Sequence, residues 1–466
     1  MKTKINVLFV CAINSLVEVE GRYPHLGFGY MAAALRNELP EIDFNIRIIQ
    51  DKYESNILDF KPDIVGISAV SQNFNIAMGI GDICESQNIP YVMGGIHITT
   101  LPKTLPKEAL AGVVGEGDFT FSEIVSAYFK GDFSMNKLKS IDGIVYWQND
   151  ILIKTTPRAP LTSLDVLPFP ERELLSIEKH TYMFTSRGCP YKCNFCASTL
   201  FWDKLSWFSA EYVVEEIKYL YNEYQVEMIS FFDDLFIANI PRIKNIIELL
   251  RNEGLLGKIK YTCSCRANLV KDRTVDLLVE MGIVSVGLGL ESGNDEILKF
   301  LKGGGISIEH NYKAVELLKN KGIAVNASFV IGAPQETKEQ IMDTYNFIKN
   351  SNMDLFDVYL LTPYPGTPIW NYACERGIVQ NDMKDWNVFD VNAYRKTDSD
   401  LVLLSETLSR QEIIALYKKF RRLRFLRNIA KVLAHPLKRD LFKIGYRMAR
   451  EHVYLLFNKW TAVKNS

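Results

Sequence analysis

Three cysteines in one short loop could bind a metal centre. Cys189, Cys193 and Cys196 have the spacing C-x3-C-x2-C, and no other Cys or His lies in this loop. A cubane of four irons and four sulfides is usually held by four thiolates, so three thiolates would leave one iron open to an exchangeable ligand. A zinc site requires a fourth Cys or His at similar spacing, and a chance cluster of thiols is the remaining alternative. The pattern favours an iron–sulfur cluster with one open iron.

The composition predicts a large buried core and gives no sign of a highly charged partner. The chain has 466 residues, 47% of them hydrophobic, and a formal net charge of -1. This length suits two or three domains, and the charge gives no overall attraction to nucleic acid or anionic membrane. Eight cysteines in so long a chain do not make a disulfide scaffold, so we expect a reducing, cytoplasmic location. The opening apolar run is short and favours a first strand over a signal peptide.

The first third of the chain alternates apolar runs with helical periodicity. Strands are predicted over 6–12, 44–49, 63–68 and 90–94, and helices over 29–38 and 77–86. This alternation predicts an α/β fold with a doubly wound parallel sheet, whose ligands bind beyond the carboxyl ends of the strands. At or beyond those ends lie Ser68, Gly94, Gly95, Gly115, Glu116 and Gly117. Glycines there would let the backbone approach a large planar ligand, although a simple turn is the alternative for each.

A second alternation of strand and helix runs from about residue 182 to 368. Six strand–helix units predict a partial barrel, and the chemistry of such barrels gathers at the carboxyl ends of the strands. The polar residues and glycine that follow these strands are Asp233, Asp234, Glu291, Ser292 and Gly332. Either aspartate could instead cap the next helix. We therefore expect a site at this end of the barrel, close to the cysteine loop.

Four regions are predicted along the chain. Residues 1–135 form the first domain, 136–175 a proline-containing linker, 176–385 the barrel, and 386–466 a helical tail. The tail is strongly basic over 410–450, where Arg421, Arg422, Arg424 and Arg427 lie among apolar residues. Such a helix can pack on the barrel, lie on an anionic membrane surface or contact nucleic acid. Packing on the barrel is the simplest alternative, and membrane contact would suit a lipid-like substrate.

The cysteine loop and the strand-end residues together resemble the radical S-adenosylmethionine (SAM) family that carries a cobalamin-binding domain. The resemblance spans roughly residues 20–370 and includes Pro24-His25-Leu26-Gly27 in the first domain. It implies a [4Fe–4S] cluster, SAM and cobalamin as cofactors, and an electron donor such as ferredoxin or flavodoxin. The three cysteines would bind the cluster, and the glycine-rich strand ends with Ser68 and Glu116 would line the corrin pocket. No D-x-H-x-x-G motif is present, so we expect no histidine on cobalt, and His97 is interpreted as a loop residue at the pocket wall.

The resemblance also implies roles for the barrel residues. Asp233 or Asp234 would bind the SAM ammonium group and Glu291 with Ser292 the ribose, while Phe195 and Gly332 would border the adenine. The implied reaction is methylation of an unactivated carbon of a small-molecule or lipid-like substrate. A cobalamin-linked radical cyclase or oxidoreductase, and a radical SAM enzyme with a degenerate cobalamin domain, are the alternatives.

One further pair of thiols is assigned to the core. Cys263 and Cys265 lie on a predicted strand and are expected to alternate between its two sides, so that they cannot share a site.

Overall fold

Two sheets follow one another along the chain. The computed structural model describes residues 4–14, 25–202, 204–389 and 401–434. Pro24, residues 390–400 and the tail beyond 434 lie outside the described residues. The strands of the first sheet are β1 (Lys4–Ala12), β2 (Asp43–Ile49), β3 (Ile64–Ala69), β4 (Tyr91–Gly94), β5 (Ala111–Val113), β6 (Ile144–Gln148) and β7 (Ile151–Lys154).

The first sheet has the order β2-β1-β3-β4-β5-β6-β7. Pairs among β1 to β5 are parallel, whereas β5–β6 and β6–β7 are antiparallel. Its helices are α1 (Leu26–Glu38), α2 (Tyr53–Phe60), α3 (Phe74–Ser86), α4 (Ile96–Thr100), α5 (Thr120–Phe129) and α6 (Met135–Lys139). The doubly wound fold is confirmed. Residues 144–154, which lie inside the predicted linker 136–175, form a hairpin that extends this sheet.

The second sheet is the predicted partial barrel. Its six strands are parallel, in the order β15-β14-β13-β12-β11-β8. They are β8 (His180–Met183), β11 (Met228–Phe231), β12 (Lys260–Cys265), β13 (Ile283–Glu291), β14 (Ala324–Ile331) and β15 (Leu355–Leu360), and a small separate pair is β9 (Ser186–Arg187) with β10 (Ser206–Trp207). The helices are α7 (Ser198–Phe201), α8 (Ala210–Tyr224), α9 (Ile240–Asn252), α10 (Asp272–Met281), α11 (Asp295–Lys302), α12 (Ile308–Asn320), α13 (Lys338–Asn350), α14 (Pro368–Glu375) and α15 (Arg410–Ala434).

Capping residues mark the first turns of two barrel helices. Ser209 precedes α8, and its side chain accepts a hydrogen bond from the backbone N–H of Tyr212. At α13, Thr337 and Gln340 form a reciprocal capping box. These contacts satisfy N–H groups that the first helical turn leaves unpaired. The apolar faces of α8 and α13 then pack against the sheet, which holds the strand ends in fixed positions.

The expectation for Cys263 and Cys265 is wrong in its geometry. Their Sγ atoms lie 3.9 Å apart. Residues two positions apart on a strand point to the same face, because side chains alternate with a period of two. Both side chains are buried, so their interpretation as core thiols stands.

The helix α15 packs on the edge strand of the barrel. Ile413 and Phe420 are buried against it, while Phe425 and Leu426 are exposed. The Arg424 guanidinium lies 2.5 Å from the Asp357 carboxylate, and Arg427 donates to the backbone oxygen of Ser351 at 2.7 Å. Two cations of the predicted basic cluster are therefore engaged within the protein. Within the described ranges, no helix is both long enough and apolar enough to cross a membrane.

Candidate active site

The cysteine loop is held in place by its neighbours at the top of the barrel. The backbone N–H of Asn194 donates to the oxygen of Leu301 at 2.9 Å, and its side chain donates to the oxygen of Phe300 at 2.6 Å. Gly188, which enters the loop, has φ +88°, and an added Cβ would lie 2.7 Å from the backbone oxygen of Lys204. Only glycine fits this turn without strain.

The three cysteines line one chamber of about 370 Å³. Burial raises the pKa of Cys189 and raises that of Cys196 to about 11, with the Asp234 carboxylate and neighbouring thiols adding to both effects. Within the described residues, no three His, Cys, Asp or Glu side chains are arranged around a single ion. Three thiols in one loop would leave one iron of a cubane without a thiolate ligand. Metal binding would release the protons that these thiols hold.

The two aspartates after β11 have different environments. Asp234 lines the chamber and accepts a hydrogen bond from Ser198 Oγ at 2.5 Å. Asp233 is absent from the chamber lining and instead accepts from the backbone N–H and the hydroxyl of Thr185, at 2.6 and 2.5 Å. The Arg242 guanidinium contacts the same carboxylate at 3.9 Å. Asp233 therefore supports the strand that leads into the cysteine loop, and Asp234 is the candidate SAM ligand of the pair.

The strand β13 ends on a carboxylate that faces the chamber. Glu291 has φ +62°, and Lys302 Nζ lies 3.4 Å from its Oε1. Burial raises the pKa of Glu291, while the Lys302 ammonium opposes this shift. Phe195 also lines the chamber.

Two predicted SAM-binding residues are not part of the chamber lining. Ser292 is fully buried, and its hydroxyl is 3.1 Å from that of Thr344. The Gly332 N–H donates to the Glu336 carboxylate at 2.7 Å. Both residues support the strand ends, and their direct contact with SAM stays a prediction.

A second cavity, of about 330 Å³, lies at the carboxyl edge of the first sheet. All six predicted residues line it, namely Ser68, Gly94, Gly95, Gly115, Glu116 and Gly117. An added Cβ at Gly115 would meet no atom within 4 Å, whereas at Gly95 it would lie 2.6 Å from the backbone oxygen of Ala69. The glycines therefore leave a smooth wall, which fits the broad face of a corrin.

The two histidines near this cavity differ in their contacts. His97 is fully buried between Phe74 and Trp386, with Nδ1 3.0 Å from Ser71 Oγ, and does not line the cavity. The expectation that it sits in a loop at the pocket wall is therefore wrong, because α4 carries it into the core. His25 does line the cavity, and burial lowers its pKa to about 4. Its Nδ1 accepts from the N–H of Phe28 at 3.3 Å, which places the ring proton of the neutral form on Nε2.

A buried ion pair joins the first domain to the cysteine loop. Arg187, two residues before Cys189, donates to both carboxylate oxygens of Asp118 at 2.7 and 3.0 Å. Its guanidinium also lies over the rings of Tyr30 and Trp202, at 5.4 and 5.1 Å. Burial works against the charged guanidinium, but the Asp118 carboxylate prevails and raises the pKa of Arg187. The ion pair therefore anchors the segment that enters the cysteine loop to the first domain.

Sequence reasoning missed four residues of the site. Arg187, Lys302, Arg266 and His25 line the two cavities but were given no role. Arg187 ends β9 and Arg266 directly follows β12, and an arginine at the carboxyl end of a strand was the signal that the sequence offered. Lys302 gave no signal, because the turn of α11 that brings it to Glu291 depends on tertiary packing.

Comparison with known proteins identifies both modules. Residues 183–348 match the Radical SAM superfamily, and residues 15–125 match the B12 binding domain. An uncharacterized methyltransferase of Pyrococcus horikoshii is 33% identical over 88% of this chain and 88% of its own length. The anaerobic magnesium-protoporphyrin IX monomethyl ester cyclase of Rubrivivax gelatinosus is 26% identical over 92% of this chain and 78% of its own.

A solved structure shares the arrangement of the two modules. The radical S-adenosylmethionine methyltransferase TsrM from Kitasatospora setae superposes with a TM-score of 0.67 at 19% identity, covering 80% of this chain and 76% of that one. The cofactors of the present protein are a [4Fe–4S] cluster, SAM and cobalamin. The chain therefore belongs to the family of radical SAM enzymes that carry an N-terminal B12-binding domain.

Proposed function

We propose that this enzyme methylates an unactivated carbon of a small-molecule substrate. The observation that supports the proposal is that one segment, residues 184–202, contributes to both cavities. Phe184, Arg187 and Trp202 line the cobalamin cavity, and the cysteines between them line the barrel chamber. When bound, the cluster supplies the electron that cleaves SAM, and cobalamin supplies a transferable methyl group. A substrate between the cavities would be within reach of both.

The residues of the chain would bind the cluster and SAM and orient the substrate. Cys189, Cys193 and Cys196 would hold the cluster, with Asp234 and Glu291 toward SAM. Beyond them, the chamber is also lined by the hydrogen-bonding side chains of Ser264, Asn326, Ser328, Asp357 and Tyr359. Burial raises the pKa of Tyr359 to about 12, so its hydroxyl stays a hydrogen-bond donor. These groups are candidates for orienting the substrate.

The test uses anaerobically reconstituted protein with SAM, methylcobalamin, titanium(III) citrate and a panel of small molecules as methyl acceptors. A product heavier by one CH2 unit, formed together with S-adenosylhomocysteine and 5'-deoxyadenosine, supports methyl transfer. Conversion of a substrate with 5'-deoxyadenosine but without added carbon contradicts it and supports the cyclase-type alternative, which the 26% identity to the Rubrivivax gelatinosus cyclase favours.

The proposed cluster ligands have a matched control. Cys193→Ala should lose iron and all SAM cleavage, because no other cysteine of the loop can replace it. Cys374→Ala, on α14 and absent from the chamber lining, should retain both. Normal iron content and turnover in Cys193→Ala would contradict the ligand assignment.

The proposed partners are the substrate and a one-electron donor such as ferredoxin or flavodoxin. The engagement of Arg424 and Arg427 within the protein supports packing of α15 on the barrel over membrane contact. This weakens the argument for a lipid-like substrate, which depended on the basic tail alone.

A further inference from the structure

One arginine of the barrel chamber contacts a cluster cysteine. Arg266 directly follows β12, and its Nη1 lies 3.5 Å from Cys193 Sγ. Its Nη2 donates to the backbone oxygen of Lys302 at 3.3 Å, and its guanidinium carbon lies 4.0 Å from the centre of the Tyr191 ring. Only 6% of the residue is exposed. The cation is therefore held against the cysteine loop from two sides.

We infer that Arg266 is a positioning residue that sets the reduction potential of the cluster. The inference rests on the proposed ligation by Cys193. A four-iron cluster with three thiolates carries a net charge of -1 when oxidised, and one electron from an external donor changes this to -2. A fixed cation beside a ligand sulfur stabilises the more negative state. Hydrogen bonds to the sulfurs and burial are among the protein's means of setting such potentials.

A carboxylate and a guanidinium near the cysteine loop have opposite effects on the cluster, which predicts the sign of the change in its reduction potential. Asp234 also lines the chamber, and a carboxylate there makes an added negative charge on the cluster less favourable. It therefore favours the less negative, oxidised cluster. Arg266 acts in the opposite sense and also opposes the rise in the pKa of Glu291. Arg266 is the cation that the structure brings within hydrogen-bonding distance of a proposed ligand sulfur.

One guanidinium atom of Arg266 has no partner among the described residues. The Nε atom is buried without a hydrogen-bond partner. An unpaired buried donor costs free energy, on the order of a few kcal/mol. A neutral side chain could contact the Tyr191 ring without that cost, so the ring contact alone does not account for an arginine at this position.

The experiment is a redox titration of the anaerobically reconstituted holoenzyme, with the reduced cluster quantified by electron paramagnetic resonance. Arg266→Gln should lower the ratio of reduced to oxidised cluster at a fixed potential about tenfold, a 59 mV shift for one electron. Arg266→Lys keeps the charge without the planar fork and should shift less. Arg273→Gln, which removes an exposed cation on α10, should leave the potential unchanged.

Two outcomes would overturn the inference. An unchanged potential in Arg266→Gln with full iron content would leave only a packing role, and weaker SAM binding without a change in potential would assign Arg266 to SAM instead. If Arg266→Gln fails to assemble a cluster, Arg266→Met, a second neutral replacement, carries the redox titration. An unchanged potential in Arg266→Met with full iron content would then refute the inference. Loss of iron in Cys193→Ala tests the ligand assignment separately, so the two failures are distinguishable.

Discussion

Removing the carboxylate that joins the two domains should destabilise the protein strongly. In Asp118→Asn, the Arg187 guanidinium would stay buried beside the cysteine loop without its bidentate partner. The two side chains are only 5% and 8% exposed. Breaking a buried pair from one side typically costs about 3–5 kcal/mol, because an uncompensated charge remains. Glu116, whose Oε1 lies 3.9 Å from Arg187 Nη1, would compensate in part, so we expect about 3 kcal/mol.

This loss can be measured by urea unfolding of the apo protein. Trp202 lies over the Arg187 guanidinium, so its fluorescence should also report on the contact directly. A loss of about 3 kcal/mol corresponds to a change of roughly two orders of magnitude in the unfolding equilibrium constant. The double variant Asp118→Asn with Arg187→Gln should recover part of this, since it removes the unpaired charge as well.

The control is a more exposed ion pair between the first domain and the predicted linker. Arg158 Nη2 lies 2.6 Å from the Glu123 carboxylate, with side chains 22% and 42% exposed. Glu123→Gln should cost at most about 1 kcal/mol, as exposed pairs usually do. The reasoning is refuted if Asp118→Asn costs no more than this control, or if the two single effects simply add in the double variant.

Three further predictions concern the cobalamin cavity and the pH dependence of stability. Gly94→Ala should keep the apo melting temperature, because the added Cβ would lie 3.6 Å from Val113, an ordinary van der Waals distance. It should raise the cobalamin dissociation constant about tenfold or more. The control Gly79→Ala, outside the cavity, should bind cobalamin normally, and equal binding by both variants would contradict the corrin contact. Electron paramagnetic resonance of the cob(II)alamin form should show no axial nitrogen splitting in wild type or His25→Ala, and a splitting lost in the variant would identify His25 as a cobalt ligand. Burial raises the pKa of Glu336 from 4.5 to about 7, against the opposing effect of two backbone N–H groups. Between these two values the folded protein holds a proton that the unfolded chain releases. The free energy of unfolding should therefore fall by about 3 kcal/mol as the pH rises from roughly 4.5 to 7. Glu336→Gln should lose this decline when urea unfolding is compared at pH 5 and pH 8, and a decline of equal size in the variant would show that another group causes it.

Much of the architecture could be predicted because it depends on short-range patterns. Apolar runs between helical periodicities mark parallel strands, and the observed β2 (Asp43–Ile49) begins one residue before the strand predicted over 44–49. Short or atypical elements were not predicted, such as the three-residue β5. The hairpin β6–β7 lies inside the predicted linker, and its pairing with β5 was not predicted, because the partner of an edge strand depends on long-range contacts that local sequence does not encode.

In the site, too, features set by residues close together in the chain could be predicted, whereas features set by tertiary contacts could not. The cysteine spacing alone indicates the cluster, because three ligands within eight residues need little help from the fold to meet. The glycines at the strand ends also follow from sequence, since parallel strands bring their carboxyl ends to one edge. Which of two adjacent carboxylates faces the chamber did not follow. Asp233 and Asp234 are equivalent as residue types, and only the position of Thr185 and Arg242 turns the first one inward.

By itself, the sequence determined the order of the modules, the three thiolates and the glycine-lined edge of the first sheet, because each depends on residues close together in the chain or on the regular geometry of parallel strands. The tertiary structure alone decided which charges surround those features. Arg187 meets Asp118 across 69 residues and Arg266 reaches Cys193 across 73, and contacts over such separations arise only when the packing of many other side chains has brought the two elements together.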